Sequence, residues 1–287
     1  MRALIAGAGG QLGRALQATA PPGFVVVAPP EAVFDITDVD RVMHVVGEHA
    51  PGVVINAAAY TAVDRAESDE AAARRINVNA VGTLASAARV AAAGFVHVST
   101  DFVFDGTAHA PYAPDAAPNP LGVYGRTKLD GELAAHEFHP APLIVRTAWV
   151  YAAQGNNFVA TMLRLMRERD EVRVVADQFG SPTHAATLAR TIWSLVAGGH
   201  RGTFHATDAG TATWYDLAVA ICEEALTCGL LTRSVTVTPI RTIDYPTPAR
   251  RPAFGVLDKT ATWSITGVPR HWRDELRLCL AAMKDAE

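Results

Sequence analysis

The feature of this sequence that most constrains its fold is a regular alternation of short apolar runs with longer helical patterns through the first half of the chain. The runs are rich in β-branched residues, which is typical of strands buried on both faces of a parallel sheet. We expect strands near Ala3–Ala6, Val25–Ala28, Val53–Asn56, Phe95–Ser99 and Leu143–Arg146. Helix-length segments at 11–19, 38–49 and 78–92 lie between them. The pattern therefore predicts an α/β fold with a doubly wound parallel sheet.

A glycine-rich turn follows the first predicted strand, where residues 7–13 read GAGGQLG. The spacing GxGxxG is absent because position 12 is Leu, but Gly7, Gly10 and Gly13 recur at intervals of three. Glycines at this place allow a pyrophosphate to approach the backbone, and the N-terminus of the next helix favours an anion. The turn predicts a Rossmann-like dinucleotide site, and an ordinary strand-to-helix turn is the alternative.

The regular alternation ends near residue 150. Glycine- and proline-rich loops follow, and Thr213 with Asp216 forms an approximate capping box before an amphipathic helix. We expect residues 1–150 to form a dinucleotide-binding domain, to which the chain returns near 172–200. Residues 151–287 are expected to form mainly a smaller, discontinuous substrate-binding lobe.

Composition excludes several classes of protein. The 287 residues carry a formal net charge of −4, which offers no basic surface for nucleic acid or anionic lipid. No apolar run is long enough to span a membrane. The three cysteines, Cys222, Cys228 and Cys279, lack the paired spacing of a zinc site and indicate a reduced protein. We expect a cytoplasmic protein without a metal site.

The choice between NADH and NADPH stays open on the sequence. Strict NAD preference usually requires an acidic residue at the end of the second strand, where Glu31 is the one candidate. No basic residue stands nearby in the sequence to meet a 2′-phosphate. Asp35 could reach an adenine edge or could equally start the turn at Thr37.

The strongest catalytic pattern is the pair Tyr124 and Lys128. Residues four apart lie on one face of a helix, so the ammonium can approach the phenol. Lowering a phenol pKa from about 10 to about 7 requires about 4 kcal/mol, which a charge about 4 Å away supplies at an effective dielectric constant of about 20. The pair predicts a proton donor or acceptor that works at neutral pH.

A hydroxyl group is expected beside this pair. The predicted strand that starts at Phe95 ends at Ser99, Thr100 and Asp101, and ligands of open parallel sheets bind at the carboxyl ends of strands. We expect Thr100 to hydrogen-bond the oxygen that Tyr124 protonates, with Ser99 as second choice because alternate side chains face opposite ways. The alternative is that these residues cap the next segment.

These motifs together resemble the extended short-chain dehydrogenase/reductase family, and within it the dTDP-4-dehydrorhamnose reductases. The resemblance covers nearly the whole chain. It rests on GAGGQLG at 7–13, NAAAYTAVDRAES at 56–68, INVNAVG at 76–82, STDFVFDG at 99–106, YGRTKLDGE at 124–132, RTAWVYA at 146–152, GNNFVATMLRL at 155–165, DQFGSPT at 177–183 and YPTPARRP at 245–252.

The resemblance implies roles for individual residues. It places the dinucleotide, NADPH or NADH, against Gly7, Gly10, Gln11, Leu12, Gly13, Asp35, Ile36, Ala59, Tyr60, Thr61, Tyr124 and Lys128. It implies catalysis by Tyr124, Lys128 and Thr100, with Tyr124 as proton donor. It places a nucleotide sugar against Thr100, Asp101 and Trp149, although Trp149 could instead be a core aromatic residue.

Several residues lie outside this pattern. The usual Tyr after Ser-Thr-Asp is Phe102, so a hydroxyl is lost while packing is retained. We expect His97 and His184 to be structural. Arg250 or Arg251 could grip a diphosphate or could be surface charges. Acidic residues that bridge a divalent ion between subunits in some relatives have no clear counterpart, and a homodimer is possible.

The implied reaction is reduction of the 4-keto group of dTDP-4-dehydro-L-rhamnose to dTDP-L-rhamnose. Rival hypotheses are a reductase of another nucleotide-linked 4-keto-6-deoxy sugar, an epimerase that retains NAD, and a binding or regulatory subunit that kept the fold without catalysis. Intact Thr100, Tyr124 and Lys128 argue against the last.

Overall fold

The computed structural model describes residues 1–286. Its strands are β1 (Arg2–Ala6), β2 (Val25–Val27), β3 (Val53–Asn56), β4 (Gly94–Thr100), β5 (Leu143–Thr147), β6 (Val150–Tyr151), β7 (Glu171–Val175), β8 (Phe179–Gly180), β9 (Thr183–His184), β10 (Gly202–His205), β11 (Ala212–Thr213) and β12 (Thr236–Ile240). Six of them form one sheet in the order β10-β5-β4-β3-β1-β2, and every pairing in it is parallel. The predicted doubly wound parallel sheet is confirmed.

The helices follow the strands as the alternation predicts. They are α1 (Gln11–Ala18), α2 (Val39–His49), α3 (Val63–Ala66), α4 (Glu70–Arg74), α5 (Ala80–Val90), α6 (Val123–Phe138), α7 (Phe158–Glu168), α8 (Ala185–Ala197), α9 (Trp214–Cys228), α10 (Thr260–Thr266) and α11 (Trp272–Lys284). A π-helical turn over Arg75–Asn79 joins α4 to α5. The predicted strand and helix positions in the first half agree with these bounds to within about two residues.

The two faces of the large sheet are covered by different helices. Leu4 and Ala6 of β1 pack with the residues of α2 and α5, whereas Ala3 and Ile5 pack with those of α1 and α8. Successive side chains of a strand point to opposite faces, so an uninterrupted apolar strand requires both covers. This explains why the first-half strands lack polar alternation.

The second half of the chain builds another apolar cluster, which begins at Tyr151. It joins α7, α9 and α11 with the parallel pair β7 and β12. The capping box expected at the start of α9 is present, because the Thr213 hydroxyl accepts from the Asp216 amide and the Asp216 carboxylate accepts from the Thr213 amide. Helix α8 and strand β10 instead return to the large sheet. The division of the chain near residue 150 stays a prediction.

The three cysteines are free thiols. Within residues 1–286, no helix is long and apolar enough to cross a membrane. The same residues contain no cluster of three or more His, Cys, Asp or Glu side chains suited to a metal ion.

Candidate active site

The candidate site lies where the carboxyl ends of the central strands meet. The turn of residues 7–13 leaves β1, the loop of residues 57–61 leaves β3, and Thr100 ends β4 opposite Thr147 of β5. A parallel sheet brings these ends to one edge, where ligands of this fold class bind. The topology therefore gathers residues that are far apart in sequence.

The glycine turn is shaped for a close backbone approach. Gly7 has a φ of +79, and a Cβ there would lie 2.6 Å from the Ala58 amide nitrogen. A Cβ on Gly13 would lie 2.1 Å from the Gly7 carbonyl oxygen. Helix α1 begins after Gly10 without a side-chain cap, so its first amides face outward for an anion. These residues fit a dinucleotide pyrophosphate.

The other two residues of this turn are held by packing and by the second half of the chain. Leu12 is buried in the cluster beneath α1 and α8. The Gln11 side-chain oxygen accepts a hydrogen bond of 2.9 Å from the Asn157 amide, which lies at the start of α7. The turn is thereby linked directly to the GNNF segment.

The expected adenine side combines a surface carboxylate with a core residue. Asp35 is exposed and accepts from the amide and the hydroxyl of Thr37, and these bonds hold the pKa of its carboxyl below the usual range. Ile36 is buried under α2. Asp35 therefore starts the turn at Thr37 in the structure, and its contact with an adenine edge stays a prediction.

A basic residue does lie beside the loop that follows β2, although no basic residue stands nearby in the local sequence. Arg41 of α2 donates from Nη1 to the Ala32 carbonyl at 3.0 Å, next to the exposed Glu31. The sequence reasoning missed it because α2 brings it back from ten residues further along the chain. A carboxylate, Glu31, and a guanidinium, Arg41, are therefore both present where a cofactor ribose is expected.

The loop after β3 is anchored by a buried asparagine. Asn77 accepts from the Tyr60 amide at 2.9 Å and donates to the Tyr60 carbonyl at 3.2 Å. The Tyr60 hydroxyl is buried and has no hydrogen-bond partner among the described residues. Ala59 is half-buried and Thr61 exposed. An unpartnered buried hydroxyl at this strand edge supports a ligand there.

The predicted catalytic hydroxyls meet. Thr100 lies close enough to Tyr124 to act on its pKa, and the Thr100 hydroxyl donates to Asp101 Oδ1 at 3.0 Å and accepts from the Phe102 amide at 3.2 Å. The Phe102 ring meets the Tyr124 ring edge-on with centroids 5.4 Å apart, so packing is retained without the usual tyrosine hydroxyl. Ser99 is buried without a hydrogen-bond partner among the described residues. The structure brings Thr100, not Ser99, to Tyr124.

Burial controls the ionisation of this group. It raises the pKa of Asp101 to about 7, against which the Thr100 hydroxyl acts only partly. It also raises the pKa of Tyr124 to about 12, an effect that the Thr100 hydrogen bond partly opposes and the Asp101 charge increases. The expected lowering of the Tyr124 pKa by Lys128 is wrong for this structure, because loss of hydration raises that pKa and the Lys128 ammonium is turned away to the Val98 carbonyl and His97.

Lys128 is turned toward the sheet. Its Nζ donates to the Val98 carbonyl at 2.7 Å and lies 3.3 Å from His97 Nε2. Burial lowers the pKa of Lys128 to about 8. His97, expected to be only structural, is therefore a direct neighbour of the candidate catalytic lysine. His184 lies elsewhere, with Nδ1 2.9 Å from Glu275.

Trp149 follows β5 in a left-handed conformation with a φ of 48. Its ring stacks on Trp214 with centroids 3.5 Å apart, and a Cβ on Gly180 would lie 2.6 Å from it. The ring is half-buried. One aromatic face is thus covered by Trp214, and the strained backbone fixes where the ring stands.

The two arginines of the proline-rich segment differ in setting. Arg251 Nη2 pairs with Asp64 at 2.7 Å, and the same carboxylate accepts from the Ala249 amide. Arg250 is exposed. Arg251 therefore ties the proline-rich segment to α3, and a contact of either arginine with a diphosphate stays a prediction.

One positioning residue escaped the sequence analysis. Glu67 Oε1 accepts from the Val123 amide at 2.7 Å and so supplies the side-chain cap that Gly122 cannot give α6. Because Tyr124 is the next residue, this bond fixes the helix turn that carries it. No spacing rule could reveal it, since the two residues are 56 positions apart.

Comparisons with known proteins agree on one group. The family model described as "RmlD substrate binding domain" matches residues 1–285. A dTDP-4-dehydrorhamnose reductase of Burkholderia thailandensis is 43% identical, with 98% of each chain covered. A Streptomyces antibioticus protein named "Probable dTDP-4,6-dihydroxy-2-methyloxan-3-one 4-ketoreductase" is 43% identical over 96% of this chain and 94% of its own. The crystal structure of the Bacillus anthracis dTDP-4-dehydrorhamnose reductase in complex with NADP has a TM-score of 0.92 at 35% identity, covering 98% of this chain and 99% of that one.

Proposed function

The chain belongs to the RmlD substrate binding domain family, and from this premise we propose that it reduces the 4-keto group of dTDP-4-dehydro-L-rhamnose to give dTDP-L-rhamnose. The observation that carries the proposal is that Thr100, at the carboxyl end of β4, lies beside Tyr124 of α6, with Lys128 one turn further along the same helix. The 43% identity to a reductase of this name supports the substrate.

The dinucleotide, NADPH or NADH, supplies hydride when bound. For it we propose a site formed by Gly7, Gly10, Gln11, Leu12, Gly13, Asp35, Ile36, Ala59, Tyr60, Thr61, Tyr124 and Lys128. The open amides at the start of α1 and the unpartnered Tyr60 hydroxyl support this site. The NADP complex of the B. anthracis relative supports the cofactor class.

Tyr124 gives the proton in this proposal. With its pKa raised to about 12, the phenol is protonated at neutral pH, which is the form a reductase requires. Its O–H donates to the C4 oxygen, and Thr100 stabilises the same oxygen with a second hydrogen bond. We place the sugar against Thr100, Asp101 and Trp149, whose backbone strain presets the indole.

The test is the Tyr124→Phe variant. We expect kcat to fall about 10²- to 10⁴-fold because the general acid is removed, while NADPH binding stays nearly unchanged. Turnover is measured from oxidation of the cofactor with dTDP-4-dehydro-L-rhamnose. Tyr215→Phe, the same change in α9, is the matched control and should retain full activity. Undiminished turnover of Tyr124→Phe would show that Tyr124 is not the proton donor.

A second candidate function is reduction of another nucleotide-linked 4-keto-6-deoxy sugar. The S. antibioticus relative favours it, since its printed name gives a different keto sugar at the same 43% identity. Comparing kcat/KM for the two substrates, with the C4 configuration of each product determined, decides between them. A higher kcat/KM for the second sugar would replace the first proposal.

We propose further that the protein works in the cytoplasm as a homodimer. Three free thiols support a reducing compartment. Exposed apolar side chains of α2 and α6, among them Met43, Leu133 and Phe138, border a groove of about 610 Å³ and support self-association. Sedimentation equilibrium measures the mass directly, and a single 30.4 kDa species would contradict the dimer.

A further inference from the structure

The indole of Trp149 lies against two separate parts of the chain. The Trp214 ring stacks on one face of it, with centroids 3.5 Å apart and an angle of 9° between the planes. A Cβ on Gly180 would lie 2.6 Å from Cε2 of the same indole and 2.8 Å from each of its bonded neighbours Cζ2 and Nε1. The strand β8 backbone is therefore the second contact.

These three distances place Gly180 over a face of the indole. A point outside the edge, in the ring plane, would be nearer to Cζ2 and Nε1 than to Cε2, because Cε2 is set back between them. A Cβ on the Trp214 side would stand between the two stacked rings and meet Trp214 first, but its three nearest atoms all belong to Trp149. Gly180 therefore covers the opposite face, and Trp214 and Gly180 together form a clamp on this indole.

Both sides of the clamp come from one small ladder. Strand β8 ends at Gly180 and pairs with β11, in which Ala212 is the register partner of Gly180. Trp214 follows β11 directly, and the bond from the Asp216 amide to the Thr213 hydroxyl fixes the start of α9. Ladder hydrogen bonds set the distance between paired strands, so the backbone fixes the width of the clamp.

Strand β8 is also tied to the residues around Asp101. The Phe179 amide donates to the Ala253 carbonyl at 2.8 Å, and the Gly255 amide donates to the Phe179 carbonyl at 2.7 Å. Gly255 packs closely on Asp101, because a Cβ there would lie 2.6 Å from Oδ2 of that carboxyl. The clamp is therefore held in a fixed place relative to the end of β4.

With both faces covered, the edge of the Trp149 indole is what a ligand can meet. Its Nε1–H has no hydrogen-bond partner among residues 1–286 and, unlike that of Trp272, is not closed off from solvent. An indole N–H only donates, so it suits an oxygen atom. We propose that Trp214 and Gly180 are positioning residues that clamp Trp149 edge-on to the nucleotide sugar, with Nε1–H donating to a sugar oxygen.

The left-handed backbone of Trp149 fits this role. A bulky residue rarely adopts a φ of 48 unless the surrounding packing holds it there. The stack on Trp214 supplies part of that packing. Removal of the Trp214 ring should therefore release both the indole and the strained residue that carries it.

The clamp itself is tested in the ligand-free protein by NMR. The chain has five tryptophans, and loss of one set of ring signals in Trp149→Phe assigns Trp149. Protons above the face of an aromatic ring are shifted upfield, so we expect the Trp149 ring protons to move downfield in Trp214→Leu. Unmoved signals in a folded variant would overturn the clamp, whatever the turnover of the protein.

The edge contact rests on the proposed function, and dTDP-L-rhamnose is the probe. A hydrogen bond shifts the Nε1–H proton downfield, so we expect this shift with dTDP-L-rhamnose and none with dTDP. The same shift with dTDP would place a diphosphate oxygen at the edge and overturn the sugar contact, as would an unmoved signal in the bound protein. A product that does not bind would instead contradict the proposed function.

Kinetics separate positioning from a merely structural role. Trp214→Leu removes the flat ring, and we expect kcat/KM for the nucleotide sugar to fall about 10- to 100-fold while KM for NADPH stays unchanged. Trp214→Phe keeps a planar ring on that face and should recover most of the loss. Trp263→Leu, the same change in α10, is the matched control and should retain full activity. Wild-type kcat/KM in Trp214→Leu would overturn the proposal.

Gly180→Ala tests the other side of the clamp and does not depend on Trp214→Leu folding. Gly180 has no positive φ, so its backbone accepts alanine, and the new methyl group would press on an indole that Trp214 keeps from moving away. We expect shifted Trp149 ring signals and a similar fall in kcat/KM, with KM for NADPH unchanged. Normal ring signals and normal kcat/KM would show that Gly180 does not position Trp149.

Discussion

At the scale of single residues, burial affects the pKa values of the site residues more than charge pairing does. Tyr124 and Lys128 are one helical turn apart, yet Nζ bonds the Val98 carbonyl and His97 rather than the phenol. Loss of hydration then raises the pKa of Tyr124 and lowers that of Lys128, so both are driven toward their neutral forms. A pairwise Coulomb argument from spacing cannot include this effect.

Asp101→Asn tests burial as the cause of an altered ionisation. The carboxyl pKa is about 7 in the fold against 3.8 when exposed, so its contribution to stability is present below about pH 4 and lost as pH rises through 7. The amide removes this dependence. Compared with its effect at pH 4, the variant should gain up to about 4 kcal/mol in unfolding free energy at pH 8. Urea unfolding at both pH values measures it.

Asp105→Asn is the matched control with the opposite sign. Hydrogen bonds from Asn119, Thr107 and Tyr112 hold the pKa of this carboxyl well below the usual range. Its stabilising effect is therefore present above the unfolded pKa and lost as pH falls through the folded one. We expect this variant to be destabilised at pH 8 and less so near pH 3. If raising the pH changed the unfolding free energy of both variants, relative to wild type, in the same direction, burial would not be the cause of the raised Asp101 pKa.

At the scale of elements, the turn between β1 and α1 requires glycine where the backbone packs too closely for a Cβ. Gly13 is needed because helix α1 packs back against the turn itself, leaving no room for a Cβ next to the Gly7 carbonyl. This is a steric demand of the fold, separate from the openness that a pyrophosphate needs. The glycine spacing in the sequence therefore reflects two separate needs, the close packing of α1 on the turn and access for a pyrophosphate.

Gly13→Ala should disrupt this turn. Its Cβ would lie 2.1 Å from a carbonyl oxygen, so we expect a loss of about 1–3 kcal/mol in stability and much weaker dinucleotide binding. Gly9→Ala is the control, because a Cβ there meets nothing within 4 Å and should change stability by less than about 0.5 kcal/mol. Chemical denaturation compares the two, and equal stability losses would show that the close contact is not limiting.

At the scale of the whole molecule, the second half of the chain holds the site rather than standing apart from it. Asn157 bonds Gln11 in the glycine turn, and Arg251 bonds Asp64 beside the loop after β3. The Trp193 indole donates to the Leu16 carbonyl of α1 at 3.0 Å. Dinucleotide binding is therefore expected to stabilise both halves together.

A thermal shift measures this coupling. A ligand at 100 times its Kd adds about 2.7 kcal/mol to stability, which for a chain of this size raises Tm by about 4–5 °C. We expect a single transition that moves upward with NADPH or NADH, and the larger shift at equal concentration identifies the preferred cofactor. Gly13→Ala should lose most of the shift. Two separate transitions, only one of which moves, would show that the halves are not coupled.

The sequence by itself determined the sheet, the glycine turn, the capping box of α9 and the place of Thr100 at a strand end, because each depends on neighbours within a few positions. Only the tertiary structure decided which groups meet across the sheet. Three such contacts are His97 with Lys128, Glu67 with Val123 at the start of α6, and Arg41 with Ala32, whose members are 31, 56 and 9 positions apart. The ionisation of Tyr124, Asp101 and Lys128 was also beyond the sequence, since hydration is lost only when the chain closes around them.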